Sequence, residues 1–289
     1  VSPRGPGPVL VTGAAGRIGG YLRSGLPPLG WRLRCLDLVG PPRSELAPKR
    51  KHQHAHAPDT LSWVVGDILD PKALARAMAG IEAVVHLAGI PTEAPFEDLL
   101  PANLDGTYQV FEAARRAGVR RVIYASSNHA VGFHGSGSLL TASARARPDS
   151  LYGVTKAFGE ALGSFYSDRY GMDVAAVRIG SCFDRPPGER GLGTWLSPND
   201  SVRLMDALLR APSFGFALLY GISANTRAWW DLEPARALGY RPQDDAEVFA
   251  EQILAEHAAL APDDPDRRYV GGRMAATSAH HPGVGEGRT

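Results

Sequence analysis

Arg121–Phe133 reads R-V-I-Y-A-S-S-N-H-A-V-G-F, and after a Gly/Ser-rich loop Pro148–Lys156 reads P-D-S-L-Y-G-V-T-K. Arg121 to Ala125 has the β-branched and aromatic make-up of a short buried strand, then switches abruptly to small polar residues. Residues just past such a strand lie at the carboxyl edge of a parallel sheet, where open α/β folds bind their ligands. Tyr152 and Lys156 stand four apart in a helical segment, so phenol and ammonium share one helix face.

Upstream, Val9 to Thr12 is an apolar strand running into G-A-A-G-R-I-G-G. The spacing Gly13-x-x-Gly16-x-x-Gly19 lets the backbone turn tightly and approach a pyrophosphate at a helix N-terminus. Gly13, Ala15, Gly16, Arg17, Ile18 and Gly19 are thus candidate cofactor contacts. A second strand, Trp31 to Leu38, carries Asp37 near its end, eighteen residues beyond Gly19. A carboxylate there accepts hydrogen bonds from ribose hydroxyls and repels a 2′-phosphate, which favours NAD over NADP. Arg17 and Arg43 weigh the other way. Ser62 to Val65 is a third strand, followed by Asp67 and Ile68 where an adenine could be held. Pro71 opens a helix through Met78. Ala83 to His86 is a fourth strand, with Leu87, Ala88 and Gly89 small enough, or near enough, for a cofactor to pass. His86 reads as a packed strand residue rather than a ligand. Asn103, also placed with the cofactor, opens an amphipathic helix to Ala117 that Gly118 caps. Strands alternating with helices behind a glycine turn predict an α/β chain with a Rossmann-type, doubly wound parallel sheet.

The phenol has a chemical reason to sit beside an amine. It titrates near pH ~10, and half ionisation near neutrality needs about 4 kcal/mol of differential stabilisation. A neighbouring Lys156 and the positive ring of an oxidised nicotinamide can supply this together. Ser127, at the end of the preceding strand, is placed to hold a substrate oxygen. Tyr-x-x-x-Lys alone recurs by chance; the serine and the glycine turn turn it into a catalytic set of Tyr152, Lys156 and Ser127.

Beyond this set, Asn128 and His129 follow Ser127 and can reach the hydroxyls of a sugar. Val174 to Ile179 is a sixth strand, followed by G-S-C and a loop rich in Pro, Gly and Arg holding Arg185 and Arg190. An arginine fork there suits a carboxylate or phosphate. Ser197 caps a helix that begins at Pro198 and runs to Leu209. Phe216 to Tyr220 is a further strand, Trp229 and Trp230 read as core, and a last helix spans Ala246 to Ala259. The expected division is a Rossmann core over 8–180 carrying the site, a smaller substrate-binding and closing region over 181–272, and a disordered tail over 275–289.

The 289 residues carry a net charge of +1 and are 44% hydrophobic, an ordinary globular balance with no nucleic-acid or membrane surface. No run approaches the ~20 apolar residues of a spanning helix, and V-S-P-R-G-P-G-P lacks a secretory core. Cys35 and Cys182 show no metal or redox spacing, so a cytoplasmic setting is expected. His52, His54 and His56 alternate, but no carboxylate or cysteine completes a ligand set, and no metal is expected.

The order of elements, G-x-x-G-x-x-G and Tyr-x-x-x-Lys resemble the extended short-chain dehydrogenase/reductase superfamily, across about Val9 to Gly272. L-A-G-I-P-T-E-A-P-F-E-D-L-L-P-A-N-L-D-G-T-Y, Y-A-S-S-N-H-A-V-G-F, R-I-G-S-C, T-W-L-S-P-N-D and Y-G-I-S-A-N-T-R-A-W-W-D resemble the bacterial uronate dehydrogenases within it. That resemblance implies oxidation of a hexuronic acid at C1 to the aldonolactone, with NAD as acceptor. It implies Tyr152 as base, Lys156 as its partner, Ser127 as orienting hydroxyl, and Asp37 on the ribose. It implies a pocket of Asn128, His129 and Ser181, with Arg190 on the substrate carboxylate. Where the family has Ser after G-I, this chain has Pro91, which cannot supply a hydroxyl; Thr92 is its neighbour. The expected partners are the small uronic acid and further copies of the chain. The alternatives are a nucleotide-sugar epimerase or dehydratase on the same scaffold, or an NAD-sensing protein without turnover.

Overall fold

The computed structural model describes residues 7–42, 60–256, 261 and 263–276. Arg43, the three alternating histidines and residues 277–289 lie outside the described residues. Seven strands form one sheet: β1 Val9–Thr12, β2 Leu33–Asp37, β3 Leu61–Val65, β4 Ala83–His86, β5 Arg121–Ser127, β6 Asp173–Ile179 and, later in the chain, β9 Phe216–Gly221. The order is β3-β2-β1-β4-β5-β6-β9, and every pairing is parallel. Two short strands, β7 Ser181–Cys182 and β8 Trp195–Leu196, pair separately.

The helices are α1 Arg17–Gly25, α2 Pro71–Met78, α3 Phe96–Leu99, α4 Gly106–Arg116, α5 Leu151–Tyr170, α6 Gly188–Thr194, α7 Pro198–Arg210, α8 Glu233–Ala237, α9 Ala250–Glu256 and α10 Pro265–Arg268. Successive strand residues face opposite sides. Val9, Val11, Ile123 and Val177 pack with Leu22 of α1 and Leu204 and Leu208 of α7. Leu10, Val84, Val122 and Val174 pack with Leu74 of α2, Phe111 of α4 and Tyr166 of α5. Burial on both faces explains why the central strands read as unbroken apolar runs. A third, small cluster joins Leu192, Trp195, Ala246, Ala250 and Ile253. Among the described residues, no helix is long and apolar enough to cross a membrane.

Chain direction across the sheet reverses between β1 and β4. Their carboxyl ends therefore flank a crevice, the place where a doubly wound sheet takes its ligand. Gly13 leaves β1 there, and Leu87 to Gly89 leave β4.

Several boundaries depart from the pattern in the sequence. β2 starts at Leu33, because the Trp31 amide donates to the Leu26 carbonyl at 3.3 Å and closes the preceding turn instead of joining the sheet. β5 runs on through Ser127, so the serine ends the strand instead of following it. Asn103 does not open a helix: it lies within a π-helical turn, Leu100–Asp105, that follows α3 and leads into α4. Tyr108 of α4 faces out. The last helix begins as a 3₁₀ turn, Ala246–Phe249, before α9. The division at residue 180 cuts across the sheet, since β9 comes after it and pairs along β6.

One charged pair sits inside this sheet. Arg178 of β6 and Glu160 of α5 meet in a two-pronged contact at 2.8 and 2.9 Å, both side chains less than a tenth exposed. Ser126 donates to the same carboxylate at 2.6 Å. Removing one partner of a buried pair typically costs about 3–5 kcal/mol, because the other charge is left without water or counter-ion. Glu160→Ala should therefore lower unfolding free energy in urea by about that amount. A loss below about 1 kcal/mol would mean that the pair does not tie α5 to the sheet.

Candidate active site

The glycine turn is built by contact as much as by conformation. Gly13 has φ +68°, and a Cβ there would lie 2.6 Å from the Ala88 nitrogen. A Cβ at Gly19 would lie 2.4 Å from the Ala14 carbonyl. Gly16 is the N-cap of α1 and brings no side chain to its first amides. The positive end of the helix is left open at the crevice, which fits a pyrophosphate. Asp37, at the end of β2, accepts from the Ala15 amide at 2.9 Å through one oxygen. Its carboxylate is thus held beside the turn, as a ribose reader needs to be. Arg17 stacks on the Phe183 ring at 4.2 Å.

Other expected cofactor residues stand further back. Asn103 is buried, and its amide donates to Ile90 O at 3.0 Å and Thr155 Oγ1 at 3.1 Å while its oxygen accepts from the Ile90 amide at 2.7 Å. Both amide hydrogens are used inside the protein, so Asn103 braces the turn after Gly89 against α5. Ile68 is drawn into the core against Gly106, where a Cβ would come within 2.5 Å of its Cδ1. Asp67 is exposed and closes its own turn by accepting from the Leu69 amide. His86 lies between Thr12 at 2.7 Å and Thr107 at 3.2 Å, and burial with the nearby Lys156 charge pushes it down to about 3. It is a neutral structural residue, as its place in the strand predicts.

At the carboxyl end of β5, Ser127, Tyr152 and Lys156 come together. α5 begins cleanly: Ser150 is its N-cap and accepts from the Gly153 amide at 3.0 Å. Burial pushes the Tyr152 phenol up to about 12; the nearby Ser127 hydroxyl pulls down, and the Asp149 charge pushes up again. Burial pushes Lys156 down to about 8. Its ammonium lies 5.5 Å from the Tyr152 ring centroid and 5.2 Å from that of Tyr124. Lys156 and an oxidised nicotinamide are expected to acidify the phenol together; within the protein, burial pushes the phenol the other way. Both groups are desolvated, and the ammonium lies over a ring face.

Two carboxylates at the start of α5 take roles that the sequence did not signal. Glu93 reaches across from the loop after β4 and accepts from the Tyr152 amide at 2.9 Å and the Leu151 amide at 3.2 Å. A carboxylate at a helix N-terminus is favoured by the helix dipole. Pro91 and Thr92 beside it are exposed. Asp149, just before α5, is bound to His129 Nδ1 at 2.9 and 3.1 Å.

The expected substrate residues converge on the other wall. Asn128 donates to Val270 O at 3.3 Å, and Arg190 Nη1 donates to the same oxygen at 2.7 Å. Arg190 is mostly buried, and its nearest carboxylate, Asp266, is 4.0 Å away. Burial pushes its guanidinium down, against the charges of Asp266 and Asp149. Ser181 is buried, its hydroxyl 3.2 Å from Thr194 Oγ1. Arg185 lies elsewhere, in an exposed pair with Glu256 at 3.2 Å.

The chain is similar to known proteins over most of its length. The family model described as NAD dependent epimerase/dehydratase family matches residues 9–189. Uronate dehydrogenase of Pseudomonas syringae pv. tomato is 41% identical over 270 residues, 93% of each chain. The NAD-dependent glucose-6-phosphate dehydrogenase of Haloferax volcanii is 38% identical over 260 residues, 84% of this chain and 95% of that one. A mutant uronate dehydrogenase from Agrobacterium tumefaciens, solved in complex with NAD, superimposes with a TM-score of 0.84 at 39% identity, over 94% of this chain and 97% of that one. The chain belongs to the NAD dependent epimerase/dehydratase family, and it shares most of its length with the uronate dehydrogenases.

Proposed function

We propose that this protein oxidises a hexuronic acid at C1 to the aldonolactone. NAD is its cofactor, and when bound it supplies the hydride acceptor and a positive charge beside the phenol. Tyr152 takes the proton of the C1 hydroxyl, and Ser127 holds that oxygen in line. Lys156 supplies a cation below the two tyrosine rings. Asp37 holds the adenosine ribose and disfavours a 2′-phosphate.

The observation that carries the substrate class is Arg190. A buried guanidinium without a carboxylate in direct contact is a costly arrangement unless an anion completes it. It shares an acceptor with Asn128, the residue after Ser127, which supports a carboxylate held at one end of the sugar and C1 at the other. Asn128, His129 and Ser181 then take the ring hydroxyls. The lactone leaves and opens in water.

A self-associating protein is supported by a run of exposed apolar side chains on adjoining helices. Phe96, Leu100, Tyr108, Leu151 and Val154 all show at least two-fifths of their surface. Two buried cysteines, Cys35 and Cys182, suit a reducing cytoplasm.

The test is NADH absorbance with galacturonate, glucuronate, glucose 6-phosphate, glucose and UDP-glucose, each with NAD and with NADP. Net NADH from uronates, well above the neutral and phosphorylated sugars, is expected. Conversion of UDP-glucose without net NADH would assign the epimerase reading instead, and a preference for glucose 6-phosphate would move Arg190 from a carboxylate to a phosphate.

A further inference from the structure

Asp149 is the buried acid that this chemistry leaves unexplained. Its side chain has no exposed surface, and its negative charge opposes ionisation of Tyr152. A carboxylate in such a place needs a purpose and partners. Its side-chain partners are the His129 ring, bonded through Nδ1, and the Ser150 hydroxyl, which donates to Oδ1 at 2.9 Å.

The surroundings are shaped around that carboxylate. A Cβ at Gly132 would lie 1.9 Å from Asp149 Oδ2, and one at Gly271 would lie 1.5 Å from it. Two backbone segments far apart in the chain are thus kept bare so that the acid fits. His129 is held from its backbone as well: its carbonyl accepts from the Asp149 amide at 3.3 Å. Its amide donates to Ser127 Oγ at 3.2 Å. The ring stands edge-on to Tyr152, with centroids 5.8 Å apart. Its Nε2 makes no hydrogen bond among the described residues, and the side chain is 14% exposed.

A carboxylate can only accept, so Nδ1 must carry the proton that bonds it. In the neutral ring this leaves Nε2 with a lone pair. We propose that Asp149 is a positioning residue acting through His129: it fixes the ring and its tautomer so that Nε2 accepts a hydrogen bond from a substrate hydroxyl close to the one Tyr152 deprotonates. This rests on the proposed sugar-oxidising function. In metal sites, losing the carboxylate that holds a ligating imidazole typically costs about 10–100-fold in affinity or activity, and a similar range is expected here.

Asp149→Asn is nearly isosteric but can offer an N–H to Nδ1, which moves the ring proton to Nε2 and turns the acceptor into a donor. In that variant kcat/KM for the sugar should fall by about 10- to 100-fold, with NADH affinity unchanged. In a His129→Ala background the same substitution should cost almost nothing more, because the path runs through the ring. An equal cost in both backgrounds would overturn the proposal, since a purely structural role would be felt in each. The ring ¹⁵N shifts of His129 in the wild-type protein without substrate give a second reading. A proton on Nδ1 is expected; a ring whose single proton sits on Nε2 would overturn it. If the wild type oxidises no sugar in the panel, the functional reading fails, while the ¹⁵N spectrum still judges Asp149.

Discussion

Tyr152→Phe should lower sugar oxidation by about a thousandfold, within the 10²–10⁴-fold span of a lost general base. The ring, its packing against His129 and its place on α5 all survive the change; only the oxygen is lost. The protein should therefore melt normally and bind NADH as before. The pH dependence follows from the same group. A phenol pushed up to about 12 by burial holds its proton at neutrality, so little base is present there. Oxidation by the wild type should rise with pH as the proton is lost. Positive charge brought by the oxidised cofactor moves that rise towards neutrality. Lys156 works against the trend, since burial sets it at about 8 and its charge is lost above that. In the phenylalanine variant the rising limb should vanish from a plot of kcat/KM against pH. Survival of the limb, or of the rate, would assign the base to another residue.

Arg190→Ala should reduce kcat/KM for uronates by thirtyfold to several thousandfold, the effect of about 2–5 kcal/mol for a lost buried charge partner. Neutral aldoses, which offer no carboxylate, should be affected far less. NADH binding should stay near normal, because Arg190 bonds Val270 and pairs with Asp266, not with the glycine turn or Asp37. Arg190→Lys should fall between, since it keeps the charge but not the planar fork. Arg190 also holds the Val270 carbonyl, so a small loss of stability, about 1 kcal/mol, is expected with the alanine variant. A melting curve separates that from the kinetic effect. Equal kinetics on uronates before and after the substitution would remove Arg190 from the site.

Much of this site is local in sequence, and that is why it could be read. Gly13, Gly16 and Gly19 announce a turn because few other residues can make it. Tyr152 and Lys156 share a face because a helix turns at 3.6 residues. Ser127 follows closely on the apolar run that ends at Ala125, and the switch to small polar residues marks the sheet edge. Ser197 caps α7 by accepting from the Asp200 amide, as the Ser-Pro start predicts.

What escaped the sequence was long-range. Glu93 meets the amide of Tyr152 from 59 residues away, and exposed acids in loops carry no mark of such a duty. Asn103 and Ile68 look like cofactor contacts by position, yet packing against Ile90, Thr155 and Gly106 takes them into the scaffold. The acidifying effect of Lys156 on Tyr152 looked natural from spacing alone. Burial pushes both groups towards their neutral forms, and burial depends on everything that covers them.

By itself the sequence determined the parallel sheet, the dinucleotide turn and the Ser–Tyr–Lys set, because each is written in the periodicity and chemistry of a short segment. Only the tertiary structure decided that β9 completes the sheet beyond residue 180, that Asp149 lies between Gly132 and Gly271, and that Arg190 and Asn128 share one oxygen. The physical reason is that burial and charge pairing are set by which distant segments come together, and no single stretch of chain holds that information.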